Sequence, residues 1–93
     1  MTSICLAMIV RDDAAVIGKL LDDALVHITH WVVVDAGSTD GSIEIARAKL
    51  AHLPGAVYER PWQDPISNRE QLLGLAHGVG DEILLVDPES EKH

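Results

Sequence analysis

The chain has 93 residues, 47% of them apolar, and a formal net charge of −8. That length suits one small domain with one core, and the apolar content argues against disorder. With no run of Lys or Arg, the acidic balance disfavours nucleic acid or an anionic membrane surface as the main partner; no apolar run approaches the roughly 18 residues of a membrane helix.

Met1-Thr2-Ser3 opens the chain without the basic segment of a signal peptide, so a cytoplasmic location is expected. Ile4 to Val10 is a continuous apolar run, the pattern of a parallel strand buried on both faces. Its lone thiol, Cys5, has no second cysteine to pair with and reads as a small core residue. Arg11-Asp12-Asp13 follow, the aspartates suiting an N-cap and first helical turn. Ile17, Leu20, Leu21, Ala24 and Ile28 then recur at helical spacing. Trp31 to Val34 reads as the second strand, ending in Asp35-Ala36-Gly37-Ser38-Thr39-Asp40-Gly41-Ser42. A second helix begins near Asp40, with Ile43, Ala46 and Leu50 on one side, and stops at Pro54-Gly55. The third strand, Ala56 to Tyr58, leads to Glu59-Arg60-Pro61-Trp62. A third helix runs from about Ser67 to His77, and Gly78 and Gly80 lie near its end. Ile83 to Val86 is the fourth strand, followed by Asp87-Pro88-Glu89.

Strand and helix alternate without an internal repeat, which predicts a single α/β domain over residues 1–93 with an open parallel sheet. Ligands of such sheets sit beyond the carboxyl ends of the strands. Those ends carry carboxylates. Asp35 is placed to meet a ligand there, and Gly37 permits a backbone conformation unfavourable to other residues. Ser38, Thr39 and Asp40 serve equally well to close a turn and cap the next helix. Asp87 and Glu89, one residue apart, either open a polar tail or supply oxygen ligands to a hard divalent cation. Such an ion would neutralise a diphosphate in an acidic crevice.

In this order the segments resemble the start of family 2 glycosyltransferases, which have the GT-A fold. The match rests first on Val32-Val33-Val34-Asp35-Ala36-Gly37-Ser38-Thr39-Asp40. Weaker matches are Ile43-Glu44-Ile45-Ala46, Val57-Tyr58-Glu59, Pro61-Trp62, Gly80-Asp81 and Asp87-Pro88-Glu89. The resemblance implies an open, mostly parallel sheet of order 3-2-1-4, a Rossmann-like half of the GT-A fold. It implies a nucleotide-diphosphate sugar as ligand, with Asp35 at the nucleoside, Asp12 in the first polar loop and Asp87 near the ribose. It also implies Mn2+ or Mg2+ held by Asp87 and Glu89.

The chain departs from the family pattern in three ways. The family's Arg-Asn pair in the third helix falls on Gln71-Leu72, or in a shifted alignment on Asn68-Arg69. Asp-x-Asp has become Asp-Pro-Glu, which keeps two carboxylates but stiffens the link. The acceptor site and catalytic base follow this region in the family, so no base is assigned and transfer by this chain alone is not expected. The alternative from another class is a degenerate, non-catalytic module, whose half-sheet would pair with a second copy or with a missing C-terminal segment. Asp-x-Gly-Ser-Thr also resembles the phosphate loop of actin-like ATPases, but a strand and helix precede it here. The glycines do not form Gly-x-Gly-x-x-Gly, and no Gly-Lys-Ser or Gly-Lys-Thr is present.

Overall fold

The computed structural model of the chain describes residues 2–88. Four strands, β1 (Ile4–Val10), β2 (His30–Asp35), β3 (Gly55–Glu59) and β4 (Glu82–Val86), alternate with helices α1 (Ala14–Ala24), α2 (Ser42–Leu50) and α3 (Pro65–Ala76). The strands form one sheet in the order β3-β2-β1-β4, parallel throughout. That is the order expected from the resemblance. Among the described residues no helix is long and apolar enough to cross a membrane.

Hydropathy explains which strands are central. β1 and β2 are buried over most of their length, whereas β3 and β4 keep exposed residues and occupy the edges. Side chains alternate across β1. Leu6, Met8 and Val10 meet Ile17, Leu21 and Leu50 of α1 and α2 on one face. Cys5 and Ala7 join Val32, Val34, Leu72 and Ala76 on the other, where α3 packs. Burial pushes the Cys5 thiol pKa up, in keeping with a core role.

Local signals set the connections. Gly55 starts β3 where a side chain would not fit, since a Cβ there would lie 2.2 Å from the Trp31 ring. That ring is fixed by core burial and by its indole N–H donating to the Leu53 carbonyl at 2.8 Å. α3 starts earlier than expected. Asp64 caps it, accepting from the Ser67 N–H at 2.7 Å, and Pro65 takes the first turn.

The topology fixes one further location. The chain builds outward from β1 through β2 to β3, then returns to lay β4 on the opposite side of β1. The direction of winding therefore reverses between β1 and β4. Crevices at such reversals, at the carboxyl ends of the strands, are the ligand sites of open α/β sheets.

Candidate functional site

Two loops meet at the carboxyl ends of β1 and β2, and their side chains bind each other's backbone. Thr39 N–H donates to Asp12 Oδ1 at 2.7 Å, and Asp12 N–H donates to Ser38 Oγ at 3.2 Å. Ser42 Oγ accepts from Asp13 N–H at 2.8 Å and donates in turn to Asp40 Oδ1. Asp40 also accepts from Ala14 N–H at 3.1 Å, so it caps α1 across the loops, while Gly41 holds the N-cap position of α2. Asp13 holds the N-cap position of α1, as expected, but not through its side chain. Its backbone carbonyl accepts from Val16 and Ile17 N–H, while its carboxylate makes no cap bond and accepts the Arg11 N–H at 2.8 Å. The Ser42 hydroxyl first, then the N–H groups of Ala14 and Ser42, hold the Asp40 carboxyl below the usual carboxylate range.

Asp12 is thus committed to the loop junction through Oδ1. It adopts a left-handed backbone at φ 53°, which Asp tolerates better than most residues. Asp35, half-buried at the end of β2, accepts from Gly37 N–H at 3.1 Å and Ser38 N–H at 2.8 Å, both on Oδ1. Gly37 has φ 97°, as the turn requires. Asp35 borders a cavity of about 510 Å³ shared with Glu59 and Arg60.

A larger cavity, about 580 Å³, opens at the β1–β4 reversal beneath α3. Ile9, Leu72 and Leu85 give it an apolar floor, and Arg11, Trp62, Arg69 and Asp87 line it with polar and aromatic groups. The Arg11 guanidinium carbon lies 4.6 Å from the centre of the Trp62 ring, a cation–π distance. Asn68 is fully buried and ties the approach to α3 onto the helix. Its Oδ1 accepts from Gln63 N–H at 2.8 Å and Asp64 N–H at 3.1 Å, and its Nδ2 donates to the Pro61 carbonyl at 3.1 Å.

These placements bear on the two alignments of α3. Leu72 is core and cavity floor, while Asn68 and Arg69 are the polar pair at the carboxyl edge of the sheet. Asp35 and Asp87 leave the sheet at the same edge, on either side of β1. At the usual strand spacing their strands lie about 10 Å apart, and the two side chains border different cavities.

Glu89 lies outside the described residues. Among the described residues no three His, Cys, Asp or Glu side chains gather into a metal-binding group. A hard cation collects several oxygen ligands, whereas the larger cavity pairs two carboxylates, Asp13 and Asp87, with two guanidinium groups. Asp13 is 1% exposed, and its Oδ2 accepts from Arg11 N–H.

Arg69 stood in one of the two alignments of the third helix, whereas Arg11 and Arg60 had no assigned role because the arginines are far apart along the chain. Their positions held one signal: Arg11 and Arg60 each stand just beyond a strand end, where ligand-binding side chains of this fold class collect. No protein-family model matches the chain, and no curated protein matches it, so the site is read from its own geometry.

Proposed function

We propose that the chain binds a nucleoside diphosphate, the head of a nucleotide-diphosphate sugar, along the carboxyl edge of its sheet. The observation that carries this reading is the cavity at the β1–β4 reversal, where an apolar floor, an indole and two guanidinium groups adjoin Asp87. Such a lining matches the parts of the ligand. Apolar and aromatic surface suits a base, a carboxylate accepts ribose hydroxyl hydrogens, and guanidinium groups match phosphate oxygens. Asp35, at the neighbouring cavity, is assigned to the nucleoside. The resemblance to family 2 glycosyltransferases supplies the rest of the proposal, which is that the bound nucleotide sugar is a donor for glycosyl transfer. No residue is assigned as the base that would deprotonate an acceptor.

Calorimetric titration with uridine and guanosine diphosphates, with and without Mn2+, tests the reading. Binding of either is expected, as is its loss in Asp35→Ala with circular dichroism unchanged. Silence with both nucleotides under both conditions would falsify it. A second reading, a non-catalytic module that assembles through a sheet edge, draws on Ile83, which is 39% exposed on the edge strand β4. It predicts a concentration-dependent dimer by light scattering that Ile83→Lys abolishes.

A further inference from the structure

The smaller cavity, at the ends of β2 and β3, carries a different set of polar groups from the larger one. Asp35, Glu59 and Arg60 border it. Asp35 and Glu59 are partners in the parallel register, the last pair of that ladder. Paired residues leave a sheet on the same face, and neighbouring strands lie about 5 Å apart. Two like charges therefore stand side by side, Asp35 half-buried and Glu59 exposed, an arrangement that costs stability when nothing lies between them.

The backbone holds all three side chains at this edge. Both bonds from Asp35 to its turn fall on Oδ1, so Oδ2 has no part in closing the loop. Arg60 extends the ladder by one bond, its N–H donating to the Asp35 carbonyl at 3.0 Å. Its guanidinium donates to the Glu59 carbonyl at 2.7 Å and lies 5.5 Å from the centre of the Tyr58 ring. A guanidinium has five N–H donors, so this anchoring bond leaves it able to donate further.

The result is a pair of acceptors beside a fork of donors. Guanine complements that order, since its N1–H and N2 amino group are adjacent donors and its O6 and N7 adjacent acceptors. Uracil has one N–H between two carbonyls, so one carboxylate would face an oxygen. Adenine and cytosine each offer a single amino group beside acceptor nitrogens. We propose that Asp35, Glu59 and Arg60 recognise the edge of the base and select guanine, the carboxylates accepting from N1–H and the N2 amino group while Arg60 donates to O6. This assignment rests on the nucleotide reading and deepens it by naming the base. Pro61 lines the smaller cavity and Trp62 the larger, so a nucleotide whose base edge lies at β2 and β3 continues into the neighbouring space.

The test is titration of the whole chain with guanosine, inosine, uridine and adenosine diphosphates, all with Mn2+ present. Guanosine diphosphate is expected to bind about tenfold or more tightly than the other three, the scale of a lost hydrogen bond to a charged group. Inosine diphosphate keeps O6, N7 and N1–H but lacks the N2 amino group, so its deficit reads the contact between carboxylate and amine alone. Glu59→Gln should shrink the preference over inosine and uridine diphosphates to about threefold or less, because a neutral amide accepts more weakly than a carboxylate. Arg60→Gln should weaken guanosine diphosphate about tenfold. Glu59→Gln also removes one of two repelling charges, so its thermal midpoint should hold or rise. If that variant fails to fold, the inosine comparison on the wild type decides. Equal affinity for guanosine and uridine diphosphates, or tighter binding of uridine diphosphate, overturns the guanine assignment and leaves the nucleotide reading standing. So does a guanine preference that Glu59→Gln keeps in full. Silence with all four overturns both.

Discussion

The carboxyl edge of the sheet contains two neighbourhoods built from similar residues and put to different use. Where β1 and β2 end, Asp12, Ser38, Asp40 and Ser42 are bonded to the backbone of the facing loop. They satisfy N–H groups at the loop ends and at the start of α1, which otherwise have no intrahelical partner. Where β1 and β4 end, Arg11, Arg69 and Asp87 border a cavity of about 580 Å³. Polar residues after a strand therefore fall into two groups, those that complete the backbone and those that border open space. The first group stabilises the fold, and the second lines the space where this fold class places ligands. Asp35 has a share in both, since one oxygen closes a turn and the side chain borders a cavity.

Three measurements would break or sharpen this contrast. The largest expected effect is on stability, from Ser42→Ala. Ser42 is fully buried and its hydroxyl accepts the Asp13 N–H. Losing it leaves that donor unsatisfied and should cost about 1–3 kcal/mol in urea denaturation. A neutral result would mean that the loop junction is not what holds this corner together.

Trp62→Ala comes next. Loss of the contact with Arg11 should cost about 1 kcal/mol or less of stability. Affinity for a nucleoside diphosphate should fall clearly, because the guanidinium is no longer braced. The contrast between the two neighbourhoods fails if this variant unfolds as readily as Ser42→Ala but binds normally.

The smallest effect should appear in acid. The Asp40 carboxyl titrates below its ordinary value of 3.8, chiefly because of the Ser42 hydroxyl. Asp64 is lowered as well, first by the Ser67 N–H and then by the Ser67 hydroxyl. A carboxylate with a lowered folded-state pKa contributes stability above its unfolded value and loses it as pH falls through the folded value. Asp40→Asn should accordingly flatten the fall of thermal midpoint below about pH 4 relative to the wild type. An unchanged acid limb would remove Asp40 from the junction.

The strands were legible because their apolar runs have to be buried on both faces, and only the central pair of a parallel sheet achieves that fully. Ile4 to Val10 and the Trp31 strand therefore appeared within a residue of their ends. The start of α3 was legible in principle from Asp64-Pro65, an N-cap followed by the residue best suited to the first turn, although the apolar pattern alone pointed to Ser67. The capping of α1 by Asp40 was not legible. Asp40 binds Ala14, 26 positions away, and no spacing in one helix predicts a partner in another loop.

The sequence by itself determined the element order and the alternation that makes the sheet parallel. It also determined the presence of acidic residues at the strand ends, since these follow from local hydropathy and turn chemistry. Only the tertiary structure decided which of those residues face each other and which face open space. It brought Arg11 and Arg69, 58 positions apart by their numbering, to one cavity. The physical reason is that the return of the chain across β1 to form β4 is a long-range pairing, and that pairing creates the cavity beneath α3.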